Sequence, residues 1–255
     1  MHILEQRIRN AHAEGRTALI PFITAGFPSS EGFRTALADL DSHGADIIEI
    51  GIPFSDPVAD GPVVEKASRR ALAAGVTLDG ILKELRAHPC LRAATVLMGY
   101  LNPILQYGTE AFARDAAAAG VNGCIIPDVP LEESAELRAL LKERGIALIP
   151  LVAQNTDEAR MRAYAAVSEG FVYVVSVMGT TGVRNSLPPQ VLDTLRRARA
   201  AFPLPLALGF SLHDPAQLAA IPEDARPDAA VFGSSLLRHL DEGKSAASFL
   251  ELWKK

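Results

Sequence analysis

The chain has 255 residues, enough for two modest domains or one large α/β barrel at roughly 150 residues per typical domain. Apolar residues make up 49% and charged residues 22%, with 19 Gly and 17 Pro, an ordinary globular composition rather than a low-complexity one. Lys plus Arg (25) against Asp plus Glu (30) leaves a net charge of −5, so the basic surplus that drives binding to phosphate backbones is missing and nucleic acid is not an expected partner.

Near the start, Glu5, Arg7, Arg9 and Glu14 interrupt any apolar run, so no signal peptide is expected there. Leu4, Ile8 and Ala11 recur at helical spacing, which predicts a short amphipathic helix lying as a lid on the bottom of a barrel. From residue 18 the chain repeats one grammar: a short apolar run, a break rich in Gly, Pro, Asp or Ser, then an amphipathic stretch. The runs are 18–24, 46–50, 95–100, 122–127, 146–152, 171–176, 204–209 and 229–232. Helices are predicted around 31–43, 63–74 with 78–86, 110–119, 131–144, 156–168, 190–200, 215–220 and 234–239. Apolar runs without alternation suit parallel strands covered on both faces, with the helices as crossovers. Eight such cycles in about 250 residues predict an α/β chain folded as a single (β/α)8, or TIM, barrel with an extra N-terminal helix. The rival, a doubly wound open sheet, usually carries a Gly-rich turn after its first strand, and Ile23-Thr24-Ala25-Gly26-Phe27-Pro28 is not one. No linker or composition shift divides the chain, so one domain over 1–255 is expected. No run approaches the ~18 apolar residues of a membrane span. Cys90 and Cys124 form neither a CxxC pair nor a disulfide framework, and a reducing cytoplasm is the expected location.

Barrel active sites are built at the C-terminal ends of the strands. There, Asp46-Ile47-Ile48-Glu49-Ile50 places Glu49 in an otherwise apolar run, facing either the barrel interior or the helices. Both destinations exclude water, and no strand run contains a Lys or Arg to pair with it. Glu49 is therefore either a structural carboxyl held by hydrogen bonds or one whose pKa burial raises into the range useful for proton transfer. The next loop adds Asp56 and Asp60. Each has a plain alternative, Asp56 as a turn residue before Pro57 and Asp60 as a cap on the helix that Pro62 opens.

Glycine-containing stretches follow the sixth, seventh and eighth runs: Gly179-Thr180-Thr181-Gly182, Gly209-Phe210-Ser211 and Gly233-Ser234. They are either ordinary turns or a cradle of backbone N–H groups for a phosphate, which barrels often place after their last strands. The six histidines show no HxH or HExxH spacing, so no catalytic metal is expected. Lys66, Lys83, Lys142 and Lys244 all fall in polar or helical segments, which disfavours an imine mechanism. Tyr173, alternating with Phe171 and Val175, is barrel filling or a neutral hydrogen-bond partner for Glu49.

The run Ile48-Glu49-Ile50-Gly51-Ile52-Pro53-Phe54-Ser55-Asp56-Pro57-Val58-Ala59-Asp60-Gly61-Pro62 resembles the signature of the tryptophan synthase α subunit family. Pro21-Phe22-Ile23-Thr24-Ala25-Gly26, Leu97-Met98-Gly99-Tyr100-Leu101-Asn102-Pro103, Pro127-Asp128-Val129-Pro130 and Gly179-Thr180-Thr181-Gly182 resemble further motifs of it, in the family's order. The resemblance implies a lyase that cleaves indole-3-glycerol phosphate to indole and glyceraldehyde 3-phosphate. Glu49 would be the general acid/base, and Asp60 would stabilise charge at the indole nitrogen and accept its proton. The phosphate would rest on Gly182, Ser211, Gly233 and Ser234 beneath Thr181, and the indole against Phe22, Met98, Tyr100, Ile125, Tyr173 and Phe210. The resemblance further implies a β subunit, joined in an αββα complex through Pro53, Asp56, Pro57 and Asn102. No cofactor is implied in this chain, pyridoxal phosphate being expected in the β partner alone. A stand-alone indole-releasing lyase, or an α-like activator of a β partner, stays open. The chain departs from the family pattern at Ser211, where glycine is common, at Gln154-Asn155, and along 222–228.

Overall fold

The computed structural model describes residues 1–87, 91–176, 187–209, 212 and 214–253. The strand segments are β1 (Ala18–Thr24), β2 (Ile47–Gly51), β3 (Ala94–Met98), β4 (Val121–Ile125), β5 (Ala147–Leu148), β6 (Leu151–Val152), β7 (Val172–Val175), β8 (Leu206–Gly209) and β9 (Ala229–Phe232). They pair in the order β5-β4-β3-β2-β1-β9-β8-β7-β6, and every pair is parallel. β5 and β6 are two pieces of one extended run. Between them Ile149 N–H donates to Cys124 O on the β4 side, and Pro150 O accepts from Tyr173 N–H on the β7 side. The two edges of the sheet therefore meet, closing the barrel. The predicted strand 146–152 is split because Pro150 has no N–H to give to a ladder.

The helices in chain order are α1 (Ile3–Ala13), α2 (Ser30–Ser42), α3 (Pro62–Ala73), α4 (Leu78–Ala87), α5 (Leu101–Tyr107), α6 (Thr109–Ala118), α7 (Ala135–Lys142), α8 (Glu158–Ala165), α9 (Pro189–Ala201), α10 (Pro215–Ala219), α11 (Ser234–Asp241) and α12 (Ala246–Leu252). Among the described residues no helix is long and apolar enough to cross a membrane. α1 buries Leu4, Ile8 and Ala11. A methyl of Leu4 stands where side chains on Gly123 of β4 and Gly170 would begin, so α1 plugs the N-terminal end of the barrel as its periodicity predicts.

Three helical readings differ from the expectation. After β3 the chain forms two helices, not one: Pro103 lies in the first turn of α5, where its missing N–H costs no intrahelical bond, and Gly108 at φ 92° turns the chain into α6. α7 starts at Ala135 rather than 131, because 131–134 closes a turn with Ser134 Oγ–H donating to Leu131 O. α12 was not foreseen. It packs on α2 and α11, and Trp253, just past its end, stacks on Phe232 at a centroid distance of 4.4 Å.

Candidate active site

Alternation along β2 puts Ile47, Glu49 and Gly51 on one face, in register with Phe22 and Thr24 of β1 and with Val96 and Met98 of β3. The ring of Phe22 fills the space that a Cβ on Gly51 or on Gly233 would take, so this shared face is the barrel interior. Glu49 thus points inward near the C-terminal end of the barrel. It is 3% exposed, and its Oε2 has no hydrogen-bond partner among the described residues. Burial, and then the neighbouring Asp60 carboxylate, push its pKa up to about 8. Among the described residues no hydrogen bond to Oε2 offsets the cost of burying this carboxyl, which weighs against the structural alternative.

Asp60 sits in the loop 52–61 above β2. The capping alternative does not hold: the N-cap of α3 is Gly61, with no side-chain capping bond and Pro62 in the first turn. Asp60 instead faces the Tyr100 hydroxyl, which favours its ionised form. The same hydroxyl accepts from Ala59 N–H at 3.0 Å, and the Tyr100 ring packs on Phe54 with centroids 5.1 Å apart. Tyr100 therefore holds the loop at Ala59 N–H and at Phe54, with Asp60 beside it. Burial raises the Asp60 pKa, the Tyr100 hydroxyl opposes that rise and Glu65 adds to it, leaving it at about 6. Asp56 is exposed, and its carboxylate accepts from Ser55 Oγ. The structure therefore brings Glu49 and Asp60 together and leaves Asp56 outside, facing solvent.

Around the two carboxyls, Phe22, Met98, Ile125 and Tyr173 are buried on inward positions of β1, β3, β4 and β7. Tyr173 leans over Gly209, where a Cβ would collide with its ring and hydroxyl. Burial, with Glu49 and Asp60 facing it, pushes the Tyr173 hydroxyl well above its ordinary pKa, so it stays protonated. Gly233 is the N-cap of α11 and makes no side-chain capping bond, which leaves the N–H groups of that first turn, beginning at Ser234, available to an anion. Ser235 Oγ–H donates to Leu212 O at 3.2 Å, tying this turn to the chain that follows β8. Thr181, Gly182, Phe210 and Ser211 lie outside the described residues. Of the rim residues, Asp56 and Asn102 are exposed and Pro57 half-buried, whereas Pro53 is buried. Among the described residues no three His, Cys, Asp or Glu side chains gather as a metal site.

Sequence reasoning missed Phe54 and Asp128. Asp128, beyond β4, receives Leu101 N–H on both carboxylate oxygens, at 3.0 and 3.1 Å. In the sequence it is one more Asp in a Pro-rich turn, and its partner becomes visible once α5 is known to begin at Leu101.

The family described as tryptophan synthase alpha chain matches residues 8–251. The chain belongs to the tryptophan synthase alpha chain family. The alpha chain of Desulfovibrio desulfuricans is 63% identical over 255 residues, covering 100% of both chains. That of Nitratidesulfovibrio vulgaris strain DP4 is 63% identical over 251 residues, covering 98% of this chain and 97% of the relative. Tryptophan synthase of Mycobacterium tuberculosis superposes with a TM-score of 0.89 at 34% identity, covering 99% of this chain and 95% of that one. The alpha chain from Legionella pneumophila gives 0.86 at 31%, with 99% and 95% covered. The barrel fold and the family expected from the motifs are therefore both found.

Proposed function

We propose that this chain cleaves indole-3-glycerol phosphate into indole and glyceraldehyde 3-phosphate. The observation that carries the reading is the pair formed by Glu49 and Asp60, two inward carboxyls at the barrel mouth whose environments set their pKa values apart, at about 8 and about 6. Near neutral pH one is mainly protonated and the other mainly ionised, the division of labour that acid/base chemistry requires.

Protonated Glu49 delivers its proton to indole C3, and the positive charge that develops on the ring nitrogen is stabilised by ionised Asp60, which shares the N–H proton. Glu49, now ionised, takes the proton of the hydroxyl on the side-chain carbon next to the ring. As that proton leaves, the C–O bond becomes a carbonyl and the bond from this carbon to indole C3 breaks. Its electron pair returns to the ring and neutralises the nitrogen. The net change moves one proton from hydroxyl to C3 and needs no metal or cofactor. Phe22, Met98, Ile125 and Tyr173 supply apolar walls for the indole, and the first turn of α11 supplies N–H groups for the phosphate.

The exposed rim holding Asp56, Pro57 and Asn102 suits the docking of a β subunit, which would consume the indole. Tyr100, a residue of this chain itself, holds Ala59 N–H beside Asp60, which favours a second reading in which the lyase also turns over without that partner. A steady-state assay with indole-3-glycerol phosphate, with and without β subunit, tests both readings. No cleavage under either condition would refute the assignment.

A further inference from the structure

The two oxygens of Asp128 accept the N–H of Leu101, the first residue of α5, at 3.0 and 3.1 Å. The preceding residue, Tyr100, is the N-cap of that helix and makes no side-chain capping bond of its own. Asp128 thus supplies, from the loop after β4, the cap that α5 does not supply for itself. Its negative charge also lies at the positive end of the helix dipole. At its other end the Tyr100 hydroxyl accepts Ala59 N–H at 3.0 Å and faces the adjacent Asp60 carboxylate.

We infer that Asp128 is a positioning residue for Asp60, fixing the start of α5 so that the Tyr100 hydroxyl stands where the loop after β2 needs it. This rests on the reading of Asp60 as a member of the acid/base pair. It extends that reading by assigning control of Asp60 to a different loop of the barrel mouth. The three links are one amide, one ring and one hydroxyl, so an uncapped Leu101 displaces the hydroxyl and the Asp60 carboxylate together. Anything that grips the loop after β4 acts on the same path.

The groups facing Asp60 set what a titration would show. They are Tyr100 at the start of α5, Glu65 of α3, Glu49 of β2 and Tyr173 of β7, and no ion pair to Asp60 is found among the described residues. The Tyr100 hydroxyl favours ionised Asp60, so its displacement raises the midpoint. Removing the Asp128 charge with no change in geometry acts the opposite way, lowering the midpoint slightly by easing repulsion. The direction of the shift therefore separates a relay from simple electrostatics.

The test is a carbon-13 titration of the Asp carboxyls in the full chain, with the Asp60 signal assigned through Asp60→Asn. Asp128→Ala and Tyr100→Phe should each raise the Asp60 midpoint, by roughly 0.5–1 pH unit. The double substitution should raise it no further, because both changes cut one path. Asp128→Asn, which keeps an oxygen for Leu101 N–H, should show no rise. If Asp128→Ala does not fold, Asp128→Ser, too short to span the same bond, replaces it. An unchanged or lowered midpoint in the Ala or Ser variant, or additive shifts in the double variant, overturns the relay. The readout is independent of turnover: a chain that shows these shifts but does not cleave indole-3-glycerol phosphate refutes the activity and leaves the relay standing.

Discussion

The ring of Tyr173 occupies the space that a Cβ on Gly209 would fill, so the glycine at the end of β8 is demanded by packing across the barrel mouth. Its backbone is not in the left-handed region, and the same holds for Gly51 and Gly233, which make room for Phe22. The late glycines thus shape the walls as much as they expose N–H groups. Gly209→Ala should push Tyr173 off its position, costing ~1–3 kcal/mol in stability as overpacked sites do and lowering turnover with the fold retained. Thermal melts and steady-state kinetics check this; a variant matching wild type in both would show that the ring moves freely.

Glu49→Gln should reduce turnover by ~10²–10⁴, the usual loss when a general acid/base is removed, while phosphate affinity holds. Its stability should respond to pH in a characteristic way. The folded chain keeps Glu49 protonated up to about 8, whereas the unfolded chain ionises it near ~4.3. Between those values the folded state binds the extra proton, so wild-type stability falls as pH rises, by at most ~1.4 kcal/mol per pH unit from this group. The glutamine variant lacks that slope. Denaturant melts of both proteins from pH 5 to 8 should diverge in its favour, and parallel curves would mean that Glu49 is not a desolvated carboxyl.

The dependence of kcat/KM on pH should be bell-shaped. On the proposed mechanism, activity needs ionised Asp60, lost as pH falls through about 6, and protonated Glu49, lost as pH rises through about 8. Because the two groups repel each other, the limbs belong to the pair rather than to either residue alone. Asp60→Asn should remove the acid limb together with most of the activity. A flat profile from pH 5.5 to 8.5 would argue that neither carboxyl changes charge during turnover.

Asp46 and Glu49 show how far one strand could be read. Both are carboxylates in the run 46–50, and nothing in their residue types separates a structural acid from a chemical one. In the fold, Asp46 receives Arg16 through two bonds of 2.7 and 2.8 Å and accepts Leu19 N–H as well. Arg16 comes from the turn ahead of β1, outside every strand run. Asp228 repeats the pattern below β9, bonded to Arg199 at 2.7 Å and to Leu206 N–H. These two carboxylates at the bottom of the barrel are paired with cations, whereas no ion pair to Glu49 at its mouth is found among the described residues. The absence of Lys and Arg from the strands was legible and sufficed for Glu49, because barrel-filling positions come from the strands themselves. Asp60 was less legible: choosing between a cap and a mouth carboxyl required Tyr100, 40 residues away. α5 and α12 escaped for a simpler reason. Pro103 and the short apolar spacing of 246–252 mask helices that tertiary packing stabilises.

The final expectation concerns the partner. Val58 in the loop above β2 and Leu105 on α5 are 81% and 54% exposed, two large apolar side chains on the same rim as Asp56 and Asn102. Neither lines the carboxyl pair, yet each lies on a segment that Tyr100 joins, Val58 next to the Ala59 N–H it holds and Leu105 on the helix that starts directly after it. A β subunit that buries them would stiffen both segments at once and favour the arrangement in which Asp60 is held. A tenfold stimulation of cleavage needs ~1.4 kcal/mol of preference for that arrangement, within reach of burying two such side chains at ~25 cal/mol per Å². Val58→Ser and Leu105→Ser should leave the isolated chain as active as wild type and raise the β concentration needed for half-maximal stimulation. Asp56→Ala should do the same through lost charge rather than lost area, and its effect should fade at high salt. Titrating β subunit against each variant decides the matter. Unchanged half-maximal concentrations in all three would place the docking surface elsewhere on the barrel, and a wild-type chain indifferent to β would favour the stand-alone lyase.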